Sequence, residues 1–182
     1  MVDNNRVREF FWIAAHISGL LIAYSVSCFV LLVVQANTGI LSGYRRDATV
    51  RSVGVGWREV AAEIEMVRAR VGATCVLALD YATTGWLAFY LPSGTCVAQF
   101  RQRIRWVNMP EPDAVQLAGK LLYVYQAWFG TAPLLKDRFV RIDRVSEVQR
   151  KRGPLVIETF VVDLLGGSKG EVFDRSPPPE IQ

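Results

Sequence analysis

The sequence predicts an α/β protein with a single N-terminal transmembrane helix, followed by a small three-layer α/β sheet domain with a C-terminal β-hairpin. One observation behind this prediction is an uncharged run of twenty-five residues, Phe10 to Val34. Another is the alternation of short apolar runs with helical patterns after Trp57, which is typical of α/β sheets. With 182 residues, 51% of them apolar, the chain can bury one ordinary core.

The uncharged run is long enough to cross a bilayer, because a helix needs only about 20 apolar residues to do so. We therefore predict a transmembrane helix over residues 10–36, preceded by a flank at 1–9 and followed by a tether at 37–56. A cleaved signal peptide is the alternative, since Val34-Gln35-Ala36 resembles a cleavage site. The apolar regions of signal peptides run only about 7 to 15 residues, which favours an uncleaved anchor.

The charges that flank the helix barely decide its orientation. Arg6 and Arg8 precede it, and Arg45, Arg46 and Arg51 follow it. Counted alone, these residues favour a cytoplasmic C-terminus slightly.

A soluble α/β domain is predicted over residues 57–165. The segment "GWREVAAEIEMVRARVG" has helical apolar spacing, and Gly72 suits its C-terminal cap. The run "ATCVLALD" is typical of a strand buried on both faces. In "DYATTGWLAFYLPSG", Thr83 or Thr84 is expected to cap a helix that Pro92 ends, with Trp86 packed on its apolar face.

The rest of the domain continues the alternation of strands and helical turns. Strands are predicted at "GTCVAQFRQRIRW" and "KLLYVYQAW", and helical turns at "EPDAVQLAG" and at residues 133–139. The runs "FVRIDRVSEVQ" and "LVIETFVVDLL", joined by "RKRGP", predict a β-hairpin at the sheet edge. Residues 166–182, rich in Gly, Ser and Pro, are predicted to form a disordered tail.

One candidate ligand site lies where the first strand ends. Asp80, with Thr83 and Thr84 just after it, stands at the position where open α/β sheets bind ligands. The chain has neither GxGxxG nor GxxxxGK[ST], so a loop that cradles phosphate is not supported. Packing is the favoured interpretation of these residues, and ligand contact is the alternative.

A second candidate is an arginine stripe formed by Arg101, Arg103 and Arg105. If the segment is extended, the three guanidinium groups share one face and suit phosphate or lipid headgroups. The net charge of +4 agrees with an anionic neighbour such as the lipid bilayer or a polyprenyl phosphate. Nucleic acid is not expected, because no nucleic-acid-binding motif is present. A solvated sheet face is the alternative and is slightly favoured.

Catalytic chemistry is sparse in this sequence. The single histidine, His16, lies in the apolar run, so the domain can build neither a Ser-His-Asp triad nor a histidine metal site. No catalytic residue, metal or cofactor is predicted. Cys75 and Cys96 fall in strands that are expected to be neighbours, so a disulfide is possible, although two buried free thiols are favoured.

Several of these segments carry a family resemblance. The apolar span, the tether, "GWREVAAEIEMVRARVGA", "DYATTGWLAFYLP" and "GKLLYVYQAW" together resemble the C-terminal end of polytopic membrane glycosyltransferases related to protein mannosyltransferases and aminoarabinose transferases. The resemblance covers about residues 10 to 165. It implies sugar transfer from a polyprenyl-phosphate donor and a C-terminal α/β domain in the periplasm, at the bacterial inner membrane.

The chain also departs from this family. The family's catalytic acidic residues lie in an early extracytoplasmic loop, and neither that loop nor the preceding transmembrane helices match here, so no catalytic residue is carried over. The expected function is a non-catalytic C-terminal module that acts with a separate polytopic lipid-linked sugar transferase. The alternative is a membrane-tethered α/β interaction module of a bacterial envelope complex with no role in sugar transfer.

Overall fold

The computed structural model describes residues 4–38, 54–101, 111–129, 134–173 and 175. The chain divides into two units, residues 1–53 and residues 54–182. Arg103 and Arg105 of the arginine stripe lie outside the described residues, as does most of the predicted tether.

The described part of the first unit is a long helix, α1 (Asn4–Thr38), which extends beyond the predicted span at both ends. Its segment Ile17–Gln35 is long and apolar enough to cross a membrane, as predicted. Ser25 and Ser27 each donate a 2.8 Å hydrogen bond to a backbone carbonyl four residues earlier. Their hydroxyl protons are therefore satisfied within the helix, which an apolar surrounding requires.

In the second unit the described residues form short helices and five strands. In chain order these elements are α2 (Trp57–Val71), β1 (Cys75–Ala78), α3 (Tyr81–Tyr90), β2 (Cys96–Gln99), α4 (Ala114–Ala118), β3 (Leu121–Gln126), a 3-10 turn (Ala127–Phe129), α5 (Leu134–Arg138), β4 (Phe139–Arg152) and β5 (Leu155–Ser168).

The five strands form one mixed sheet in the order β2-β1-β3-β5-β4. β1, β2 and β3 are parallel, whereas β5 pairs antiparallel with both β3 and β4. This sheet and its helices confirm the predicted α/β class. We refer to the edge where β1, β2 and β3 end as the carboxyl edge, and to the opposite one as the amino edge.

Apolar side chains are buried on both faces of the sheet. β1 and β3 are buried at every position, which confirms the strand predicted from "ATCVLALD". One face packs against α2 and α3 through residues such as Val60, Ile64 and Leu87. The other face is covered by side chains that include Leu135 and Phe173.

The paired strands β4 and β5 extend beyond the carboxyl edge. Gln126, the last residue of β3, pairs with Phe160, so residues 155–159 of β5 continue past it together with the paired part of β4. Gly153, with a φ of 54°, and Pro154 connect the two strands. We refer to residues 149–159 as the arm.

The structure differs from the predicted boundaries in two places. β2 ends at Gln99, whereas the sequence predicted a strand that runs to Trp106. β5 continues to Ser168, and Val172 and Phe173 are buried against the sheet. The first part of the predicted disordered tail, 166–182, therefore belongs to the fold, because it supplies apolar cover for the second face.

The cysteines of β1 and β2 are joined. Cys75 and Cys96 are direct partners in the parallel register and form a disulfide. The favoured prediction of two free thiols is therefore wrong, although the two strands are neighbours as expected. Among the described residues, Cys28 of α1 is a free cysteine.

Candidate functional site

Asp80 stands at the carboxyl edge and begins α3. Its Oδ1 accepts hydrogen bonds of 3.0 Å from the backbone amides of Ala82 and Thr83. Asp80 is therefore the N-cap of this helix, and the prediction that Thr83 or Thr84 caps it is wrong. An aspartate is well suited to the position, because its carboxylate satisfies backbone N–H groups that have no partner within the helix.

The other carboxylate oxygen of Asp80 binds side chains. Oδ2 accepts hydrogen bonds from the Thr83 hydroxyl at 2.7 Å and from Gln126 Nε2 at 2.9 Å. The buried Thr84 hydroxyl donates to the Asp80 carbonyl at 2.7 Å. Asp80 thus accepts four hydrogen bonds at its carboxylate and links the ends of β1 and β3 to α3. This arrangement agrees with the packing interpretation of Asp80, Thr83 and Thr84.

A second polar group, which the sequence did not predict, crosses the sheet on the other face. Tyr123 of β3 pairs with Asp163 of β5, and Asp163 pairs with Arg144 of β4. Arg144 Nε lies 3.9 Å from Asp163 Oδ1. The Tyr125 ring lies beside the Tyr123 ring at a tilt of 31°, with the ring centroids 5.2 Å apart, and the Tyr125 hydroxyl lies 3.5 Å from Arg144 Nη2. We refer to Tyr123, Tyr125, Arg144 and Asp163 as the polar row.

Burial is the main cause of the pKa shifts of two residues in this polar row, Tyr123 and Asp163. Among the described residues the buried Tyr123 hydroxyl has no hydrogen-bond partner, and desolvation raises the pKa of Tyr123, opposed in part by the charge of Arg101. Burial also raises the pKa of Asp163, against the smaller lowering effects of its hydrogen bond with Tyr125 and of the Arg144 charge. Asp163 is only 3% exposed, whereas the side chain of Arg144 at the end of the row is 55% exposed.

The raised pKa of Asp163 leads to a prediction about how folding stability depends on pH. An acid whose pKa is higher in the folded state binds more protons there, so folding stability falls as pH rises from its ordinary pKa through the raised one. Asp163→Asn is therefore expected to flatten this part of the pH dependence. Denaturant unfolding of both proteins at a series of pH values measures it. Parallel stability curves would contradict the prediction.

Arg101 lies two residues after the end of β2 and is half-buried. Its positive charge acts on Tyr123, so it lies near the polar row. Because Arg103 and Arg105 lie outside the described residues, the arginine stripe stays a prediction.

A groove of about 460 Å³ lies at the amino edge. Leu117, Val172 and Phe173 contribute apolar lining, and Arg175 bridges Glu111 at 3.0 Å and Glu171 at 3.5 Å. Within the described ranges, no group of three or more His, Cys, Asp or Glu side chains is placed to hold a metal ion.

Comparisons with protein-family models, with curated proteins and with solved structures found no match to this chain. The class that the fold and the described sites define is therefore a mixed-sheet α/β domain preceded by a helix able to span a membrane.

Proposed function

We propose that the chain is a membrane-anchored, glycosyltransferase-related protein. In this proposal its α/β domain is a non-catalytic C-terminal module that acts with a polytopic lipid-linked sugar transferase. The anchor lies in the bacterial inner membrane, and the domain, a three-layer sheet ending in a β-hairpin, lies in the periplasm. The family resemblance supplies the partner class, and the apolar helix Ile17–Gln35 supports the anchorage.

The hydrogen bonds of the Asp80 carboxylate support the proposal that the domain is non-catalytic. It is the acidic side chain at the position where α/β sheets bind ligands, yet its carboxylate already accepts four hydrogen bonds. A general base must accept a proton from substrate, and a carboxylate engaged in this way is held for structure. This hydrogen bonding of Asp80 thus supports a domain that does not itself catalyse sugar transfer.

The Cys75–Cys96 disulfide supports the periplasmic location. Disulfides form and persist in oxidising compartments and are rare in the cytosol. The slight lean of the flanking arginines towards a cytoplasmic domain is a weaker argument, because the two sides are nearly balanced.

A membrane-tethered interaction module of an envelope complex, with no role in sugar transfer, is the second candidate. The groove at the amino edge favours it, because its volume falls within the range of binding pockets and Leu117, Val172 and Phe173 give it an apolar lining. An envelope protein that places an apolar side chain in this groove would need no sugar lipid.

Photo-crosslinking in native membranes separates the two candidates. A photoreactive residue would replace Phe89, Val115 or Val140, which are exposed on three different elements, and captured proteins would be identified by mass spectrometry. Capture of a polytopic sugar transferase supports the first candidate. Capture of other envelope proteins alone supports the second. Samples without irradiation are the control.

Two further measurements test the remaining parts of the proposal. The purified chain, given a polyprenyl-phosphate sugar and acceptors, is expected to transfer no sugar, and transfer by the chain alone would overturn the non-catalytic assignment. A phosphatase fused after Gln182 is expected to be active. An inactive phosphatase beside an active cytoplasmic reporter would place the domain in the cytoplasm.

A further inference from the structure

Exposed aromatic side chains are concentrated at the carboxyl edge. Trp128 and Phe129 follow β3 and stack with their ring centroids 4.1 Å apart, yet Trp128 is 64% exposed and Phe129 is 51% exposed. Tyr81, which follows Asp80 at the same edge, is also exposed. Aromatic rings on a water-exposed surface are costly, and Trp and Tyr favour the boundary between lipid and water.

The arm adds positive charge on this side of the domain. Lys151 is exposed near its tip, and the neighbouring Arg152 is half-buried. The next strand begins with three half-buried apolar residues, Leu155, Val156 and Ile157. A basic tip beside apolar side chains is suited to the surface of a bilayer, where anionic headgroups lie above apolar acyl chains.

The polypeptide from the apolar helix reaches the domain on the same side. The first described residue of the domain is Gly54, and the Val55 carbonyl accepts a 3.0 Å hydrogen bond from Arg150 Nε at the base of the arm. A Cβ on Gly56 would lie 2.5 Å from the Lys151 carbonyl oxygen, so the backbones touch there.

The connection is also short. The described part of α1 ends at Thr38, and residues 39–53 join it to Gly54. A chain of this length spans at most about 55 Å when fully extended. A surface near the attachment point therefore meets the membrane at high effective concentration.

We propose that the carboxyl edge, with Trp128 and Phe129 and the arm residues Lys151 and Arg152, docks the domain onto an anionic phospholipid bilayer. This inference rests on the membrane anchorage in the proposed function. The residues of this surface differ from those of the predicted arginine stripe, Arg101, Arg103 and Arg105.

The test uses the full chain in lipid nanodiscs. In a Cys28→Ser background, Phe129→Cys or Phe89→Cys would be labelled with an environment-sensitive fluorophore, without reductant so that the disulfide stays intact. Phe89 is a matched control, because it is an exposed phenylalanine at 74% near the end of α3, towards the amino edge. Lipids with a quencher on the acyl chain report contact. We expect stronger quenching at position 129 than at position 89, and more of it when phosphatidylglycerol is included.

Charge reversal tests whether the basic residues of the arm contribute to docking on the bilayer. Lys151→Glu with Arg152→Glu is expected to reduce quenching at position 129, since each basic residue near an anionic surface shifts docking by about fivefold. Lys136→Glu with Lys169→Glu, two exposed lysines at the amino edge, is the matched control and is expected to leave the quenching unchanged.

The outcomes separate this inference from the proposed function. A chain that fails to enter nanodiscs contradicts the anchorage on which both rest. A chain that enters them, with equal quenching at positions 129 and 89, overturns the docking surface alone. The docking surface is also overturned if quenching at position 129 changes neither with the anionic lipid content nor with reversal of the arm charges.

Discussion

Arg150→Ala is expected to destabilise the domain by about 3 to 5 kcal/mol, the cost of removing one partner from a buried ion pair. Arg150 is only 1% exposed, and its Nη1 lies 3.2 Å from Glu158 Oε2, whose side chain is 8% exposed. Its guanidinium also covers the Trp57 ring at 5.2 Å from the centroid. The substitution removes this ion partner of Glu158, the bond to the Val55 carbonyl and part of the packing on Trp57.

Denaturant unfolding of the full chain in detergent, followed by tryptophan fluorescence, measures the effect. Arg141→Ala is the matched control, since Arg141 lies on the same strand and pairs with Asp143 at the surface. It is expected to cost no more than about 1 kcal/mol, as for other exposed ion pairs. Equal losses in the two variants would show that burial of Arg150 is not decisive.

A double variant separates the burial of a lone charge from the loss of packing. Arg150→Met with Glu158→Leu replaces both charges by apolar side chains, and buried ion pairs replaced in this way often retain stability. We expect it to be more stable than Arg150→Ala. If the two variants unfold at the same denaturant concentration, the cost lies in packing on Trp57 and not in Glu158.

Local patterns were sufficient to predict most of the helices and strands. The apolar spacing from Trp57 to Val71 defines a helical face, and Val60, Ile64 and Val67 are buried along it. The short apolar run after Gly72 predicts a strand, because a strand buried between two layers is apolar on both faces. These helix and strand patterns depend only on residues that are close together in the chain, so a single sequence is enough to detect them.

The polar features depend on neighbours that are distant in the chain. Tyr123 and Asp163 become adjacent only through the antiparallel register of β3 and β5, which the pattern of either strand leaves open. Arg150 belongs to a basic run next to a turn, which predicts exposure, and its burial follows from Trp57 and Glu158. At Asp80, three neighbouring residues are all good cap formers, so composition alone did not distinguish them.

The disulfide between Cys75 and Cys96 is expected to stabilise the domain by about 3 kcal/mol, because it closes a loop of roughly twenty residues and restricts the unfolded chain. The two cysteines are 21 positions apart and join β1 to β2, the outermost parallel strand. Cys75→Ala combined with Cys96→Ala should therefore lower the midpoint of unfolding, and reductant should lower it in the native sequence but not in the double variant.

The state of these cysteines in the cell also tests the location of the domain. In cells lysed in the presence of a thiol-blocking reagent, a periplasmic domain is expected to show Cys75 and Cys96 protected until the protein is denatured and reduced, because both are buried and bonded. Cys28→Ser provides the matched control, since it removes the free thiol of α1 and leaves the pair alone. Labelling of both cysteines after denaturation without reductant would mean that they are thiols in the cell, which contradicts the bond and removes its support for a periplasmic domain.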